Sequence, residues 1–224
     1  VIAAVVVALA LSQGTRSGDE GVFAIRIDTL DVARESFTLT PHPLPGGRPG
    51  WLLSATTRYD RTRPVVVLAP ALQITADSQP LTLQFDVSDP RAPLRVLGQL
   101  GRNRFTVRVA ARDLERAREF PLAAPAVVLD DSVVALYQVA AWFARPEAST
   151  LTAVVPRALR RESLTVVDRG DTAVAIGRQR LTLRRVEITG GPNERVLLWL
   201  DGGGRLQRLA IPSRRLVAER VPTD

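Results

Sequence analysis

Polar and apolar residues alternate along most of the chain after residue 20. Phe23, Ile25 and Ile27 interleave with Ala24, Arg26 and Asp28. Leu81, Leu83, Phe85 and Val87 do the same with Thr82, Gln84 and Asp86, and Phe105, Val107 and Val109 with Thr106, Arg108 and Ala110. A period of two sets one row of side chains against a core and the other in water, so these segments are predicted strands. The same pattern predicts strands at 34–40, 51–59, 64–72, 93–100, 114–120, 150–156, 162–168, 172–177, 179–189, 194–201, 204–211 and 215–220. Turn signals separate them, among them Pro45-Gly46-Gly47, Gly101-Arg102-Asn103, Arg169-Gly170-Asp171 and Gly202-Gly203-Gly204. Short connections predict antiparallel pairing, because parallel neighbours need helical crossovers.

Two strands change phase. Leu181 and Leu183 share a parity that Val186 and Ile188 do not, and Leu206 differs in the same way from Leu209 and Ile211. A slip of one residue predicts a bulge, which bends a strand. A sheet of about a dozen strands must curl, split or close, and bulges let it curl.

One segment has a helical period. Val133, Leu136, Tyr137, Ala140 and Phe143 follow Asp130-Asp131-Ser132, which carry helix-capping side chains, and Arg145-Pro146 ends the run. Gln138 is its one strongly polar side chain, so the helix is expected to be buried on more than one side. The predicted fold is mainly β: a large curved antiparallel sheet, an open or half barrel, with one buried helix near 132–144. Residues 21–224 are expected to form a single β-rich half-barrel domain.

Residues 1–11 form an unbroken apolar run, followed by the small polar residues of 12–20. As a helix the run would measure about 16 Å, about half of a bilayer core. That length suits the core of a secretory signal or the remnant of an anchor, with Ala8-Leu9-Ala10 as a small-residue cleavage pattern and 12–20 as linker. Export to the periplasm or cell envelope is the expectation, with membrane association only through such an anchor.

Composition narrows the chemistry. Apolar residues are 46% and charged residues 24% of the chain, which is globular. Cysteine and methionine are absent and histidine occurs once, which removes disulfide, thiol and most metal chemistry. His42 sits between Pro41 and Pro43, and no Gly-x-Ser-x-Gly elbow occurs. Asp28-Thr29 and Asp131-Ser132 lack the glycine of an aspartic-protease loop, Asp168 and Asp171 flank a turn glycine, and Gly202-Gly203-Gly204 precedes a strand rather than a helix. No enzyme, cofactor or metal is expected. All 30 basic residues are arginine, for a net charge of +7. Residues 177–220 hold ten arginines against four acids. Such an excess attracts anionic groups, but only 5% of residues are aromatic and no nucleic-acid motif is present, so no nucleic acid is expected.

The last third carries a pattern of its own. Val155-Pro156, Asp168-Arg169-Gly170, the hairpin from Val196 through Trp199, Asp201 and Gly204 to Arg205-Leu206, then Ile211-Pro212 and Glu219-Arg220, follow Val127-Val128-Leu129-Asp130 and the apolar helix. In this it resembles a family of uncharacterised secreted bacterial β-domains, which look related to periplasmic lipoprotein carriers of the Lol type. That resemblance implies a curved half-barrel over an apolar cavity lidded by helices, and carriage of lipid or lipoprotein acyl chains.

From the residues themselves the expected site is an apolar space between sheet and helix. Leu136, Tyr137, Trp142 and Phe143 would line it, and Arg178, Arg180, Arg184 and Arg185 would hold an anionic head group at its rim. The expected function is therefore a non-enzymatic exported envelope protein binding an apolar or amphiphilic ligand. The alternative is a structural or interaction module of the envelope with a filled core. An open cavity beneath the helix separates the two.

Overall fold

The computed structural model describes residues 17–222. The predicted N-terminal run and most of its linker lie outside them. Eight strands meander first: β1 (Asp19–Ile27), β2 (Leu30–Pro41), β3 (Gly50–Tyr59), β4 (Val66–Thr75), β5 (Pro80–Ser88), β6 (Leu94–Leu100), β7 (Arg104–Ala111) and β8 (Leu114–Pro121). A short strand β9 (Ala126–Val128) and the helix α1 (Ala135–Ala141) follow. Six more strands complete the chain: β10 (Ser149–Val155), β11 (Arg160–Ile176), β12 (Gln179–Gly190), β13 (Arg195–Leu200), β14 (Leu206–Ile211) and β15 (Leu216–Arg220). All fifteen belong to one sheet, ordered β8 back to β1, then β15 back to β9. The first and last strands therefore pair at its centre, from Phe23 against Arg220 to Ile27 against Leu216. The expectation of a mainly β, curved, unclosed sheet with one helix holds.

Each strand but one pairs antiparallel, as short turns dictate. β9 and β10 are parallel, and α1 lies in the crossover between them. β9, which has only three residues, is too short for alternation to reveal. The two ends of the sheet approach without joining. Arg118 on β8 donates to the Leu159 carbonyl at 3.0 Å, Arg161 on β11 donates to the Pro121 carbonyl at 3.0 Å, and Gln79 accepts from the Ala126 N–H at 3.0 Å. β8 presents Glu115, Arg116, Arg118 and Glu119 to solvent, and charges on an edge strand discourage further pairing.

Both predicted phase changes correspond to real irregularities. In β14, Leu206 faces Leu200 and Arg208 faces Trp199, so Gln207 is the extra residue of a bulge, and Leu206, Leu209 and Ile211 all reach the core. On the other side, Asp168 faces Val186 and Asp171 faces Arg184, which leaves Arg169 and Gly170 opposite the single residue Arg185. The predicted turn at 169–171 is thus a bulge inside one strand of 17 residues, with Gly170 at φ +73°. The turn reading failed because a glycine of positive φ serves a bulge as well as a hairpin.

The inner face of the sheet carries one continuous core, including Phe23, Phe37, Leu53, Phe85, Phe105, Leu164, Ile188 and Leu198. α1 lies within it, and all seven of its residues are buried. The space left beside Ile25, Tyr137 and Leu209 is about 10 Å³, enough for at most one water. Leu136 is fully buried against this packing. Truncating it leaves a hole that rigid sheet walls cannot close, so Leu136→Ala is expected to lower unfolding free energy by about 2–5 kcal/mol. Urea unfolding followed by far-UV circular dichroism measures this; a loss below about 1 kcal/mol would mean the helix is loosely packed.

Candidate functional site

Inward positions of a strand should be apolar, and a few here are not. β2 directs Ala33, Glu35, Phe37 and Leu39 inward, and Glu35 is completely buried. Its register partner on β3 is Thr57, also fully buried. Glu35 Oε2 accepts from the Thr57 hydroxyl at 2.7 Å and from the Val134 N–H at 2.8 Å, while Oε1 accepts from the Ala135 N–H at 2.6 Å. The carboxylate of a distant strand therefore caps α1. Asp130, Asp131 and Ser132, expected to do so, are used otherwise: Asp130 accepts from the Ser132 N–H at 3.0 Å and holds Arg157 through two contacts of 2.5 and 2.6 Å. The local side chains are engaged elsewhere: the Ser132 hydroxyl donates to Asp131 at 2.9 Å and Asp131 meets Arg157 and Arg214 at 3.3 Å, which leaves the Val134 and Ala135 N–H groups to Glu35.

Burial pushes the Glu35 carboxyl up to about 7, against the lowering effect of its three donors, and the Asp130 charge adds to the rise. Asp130 is itself raised by burial, partly offset by Arg157. A carboxyl near neutrality is often a catalytic signature. Here both oxygens are occupied by structural donors, so the group serves as a helix cap.

A second inward polar group closes the central seam. Asp19 on β1 and Arg220 on β15 make a bidentate pair at 2.6 and 3.2 Å, and Gln138 of α1 donates to Asp19 at 2.9 Å. The Arg220 guanidinium also lies 5.4 Å from the Phe37 ring centre. Gly21 makes room for it, since a Cβ there would stand 2.7 Å from Arg220 Nη2.

A large open space adjoins the outer face at the end of the sheet where Asp19 and Arg220 lie. Beyond Asp171, β11 pairs only with β12, and the two form a ribbon, residues 172–183, that pairs with no other strand. This arm bends at the bulge and lies over the outer surface, where Arg208 of β14 donates to the Ala175 carbonyl at 2.8 Å. Its apolar row, Val174, Ile176, Leu181 and Leu183, continues the outward side of β12 that carries Glu187. The phase change in β12 thus marks where the apolar side passes from the core to the underside of the arm.

Beneath the tip is a cleft of about 940 Å³. Ala24, Ile176, Leu181, Val221 and Pro222 supply apolar surface, and Glu20, Arg178, Gln179, Arg205 and Gln207 polar surface. Asp19 and Arg220 form its inner wall, and Gly18 its rim. Glu219, also lining it, is held by Arg208 at 3.2 Å and by Arg26. Arg178 and Arg180 are exposed and make no ion pair among the described residues.

The structure does not bring the eight predicted site residues together. Leu136 and Tyr137 are buried in the filled core, where the Tyr137 hydroxyl accepts from Asn193 at 2.9 Å. Trp142 and Phe143 are half-buried, Trp142 with its ring centre 5.9 Å from that of Trp51. Arg178 lines the outer cleft with Arg180 beside it, whereas Arg184 reaches Asp168 at 3.5 Å and Arg185 faces Trp199 in register. The expected cavity is closed because α1 fills the inner face, and the arm carries its arginines to the other face. Missed altogether were Glu35, Thr57, Asp19, Arg220 and the cleft. Glu35 had a signal: it is a charge in the inward row of a clean alternation.

No family model matches the chain, and no curated protein matches it. Among solved structures it is similar to a beta-barrel-like protein of the domain of unknown function DUF1849 from Brucella abortus. The TM-score is 0.58 at 13% identity, covering 92% of this chain and 96% of that one. The likeness is one of fold: it supports a β-barrel-like architecture of an uncharacterised family and does not single out carriers of the Lol type.

The Glu35 cap generates a pH dependence. Its carboxyl titrates near 7 when folded and at the ordinary 4.5 when unfolded. Between these values the folded state holds the extra proton, so stability is greatest below 4.5 and falls as pH rises through 7. At about 1.4 kcal/mol per pH unit the loss is about 3 kcal/mol. Glu35→Gln is expected to remove that part of the slope; Asp130 contributes in the same direction, so the difference between wild type and variant is the quantity read. Urea unfolding at pH values from 5 to 8 measures it, and parallel curves would show that Glu35 does not titrate there.

Proposed function

We propose that the protein is an exported, non-catalytic domain of the cell envelope that binds an amphiphile in the outer cleft rather than inside the sheet. The observation that carries this is the contrast in space: about 940 Å³ under the arm against about 10 Å³ beside the helix. Ligand sites commonly occupy about 300–1,000 Å³ and join apolar walls to a few polar groups. An acyl chain would lie along Ile176, Leu181, Ala24 and Val221, and an anionic head group would meet Arg178 and Arg205. Export is supported by the composition of residues 1–11. A non-catalytic role is supported by the engagement of two of the three cleft carboxylates, Asp19 with Arg220 and Glu219 with Arg26 and Arg208, the third being the exposed Glu20. The filled interior favours a second reading, a structural module of the envelope without a small ligand.

Titration with a fluorescent fatty acid, followed by displacement with unlabelled fatty acid, tests the reading. Wild type is expected to bind saturably. Ala24→Trp, which fills the cleft from the outer face of β1, should weaken binding at least about tenfold, about 1.4 kcal/mol. Arg205→Ala should weaken a fatty acid more than the corresponding alcohol. Absence of saturable binding, or equal binding by Ala24→Trp, would leave the structural module standing.

A further inference from the structure

We propose that the tip of the β11–β12 arm is a docking surface for an anionic lipid bilayer. Resting on the export reading above, this goes beyond it by giving the cleft an orientation and the protein a second membrane contact besides its N-terminal run. Residues 172–186 contain four arginines and no acid. Arg184 is engaged by Asp168. Arg178 and Arg180 stand exposed at and beside the turn, free of ion pairs among the described residues, and Arg205 stands exposed across the cleft. Cations fixed on a hairpin tip, with no acid on the same ribbon beyond Asp171, match an anionic surface in charge and in reach.

The position of the chain's N-terminal side selects a membrane as the partner. Gly18 forms the rim of the same cleft that Arg178 lines. Six residues, 12–17, separate it from the apolar run that ends at Leu11. Even fully extended they span no more than about 25 Å. With the run held in lipid, the rim stays within that distance of the head groups, and the arm tip beside it faces the same surface. An apolar anchor and a basic patch together hold a protein to a bilayer more stably than either does alone. Each exposed arginine near an anionic leaflet adds about fivefold to binding. The cleft then opens beside the bilayer, where an amphiphile leaves or enters the lipid.

Sedimentation of the full chain with vesicles tests the proposal. One set is pure phosphatidylcholine and the other contains about one-third phosphatidylglycerol. Wild type is expected to bind the anionic vesicles at least about tenfold more tightly, with the preference lost on raising salt from about 0.02 to about 0.2 M. Arg178→Glu combined with Arg180→Glu should abolish the preference and leave binding to pure phosphatidylcholine unchanged. Arg112→Glu with Arg116→Glu, the same charge change on the β7–β8 hairpin, should keep most of it. No preference in the wild type, or an equal loss in both double variants, would overturn docking by the arm. Fatty-acid displacement without vesicles reports the cleft separately: retained there while the preference is absent, it removes docking alone, and lost while the preference persists, it removes the amphiphile reading and leaves docking.

Discussion

An apolar helix enclosed by a sheet has nowhere to send its first backbone N–H groups except to an acceptor that the sheet provides. Glu35 is that acceptor, taking the Val134 and Ala135 N–H groups on its two oxygens with Thr57 in support. An unpaired buried N–H costs about as much as a lost hydrogen bond, and a buried carboxylate without partners costs more. Each therefore makes the other tolerable. Because β2 and β3 set the height of Glu35, they also set where α1 begins, and the helix in turn fills the concave side. The solid interior follows from that one contact.

The central seam depends on the same logic. β1 and β15 are far apart in the chain and meet in the middle of the sheet, where the inward Asp19 and Arg220 would be costly alone. Paired with each other, and with Gln138 of the helix, they tie the first strand, the last strand and α1 at one point. Phe37 under the guanidinium and the absence of a side chain at Gly21 let that pair lie flat against the core. The pair also lines the cleft, so the feature that ties the central seam shapes the open space beside it.

With the concave side filled, the open space lies outside it. The bulge at Arg169 and Gly170 turns the β11–β12 ribbon across the outer face, and its apolar underside meets a surface that is only partly apolar. A ribbon held mainly at its base, with Arg208 clasping one carbonyl, leaves space beneath it.

Alternation and short connections together determined that the chain is mainly antiparallel β, because a period of two marks strands and parallel neighbours would need longer crossovers. The slip between Leu206 and Leu209 signalled a bulge in β14, and the register with β13 identifies Gln207 as the extra residue. The burial of the helix was likewise legible in its lack of a polar side. Other decisions belonged to the tertiary structure. Which carboxylate caps α1 depends on Glu35, 99 residues before Val134 in the chain, and local spacing pointed to Asp130 instead. Whether Leu181 and Leu183 face the core or the outer cleft depends on how far the arm bends, which the sequence signals only as a change of phase. The reason is common to both: side-chain period reports which way a residue points from its own strand, while the surface it then meets is set by chain segments far removed in sequence.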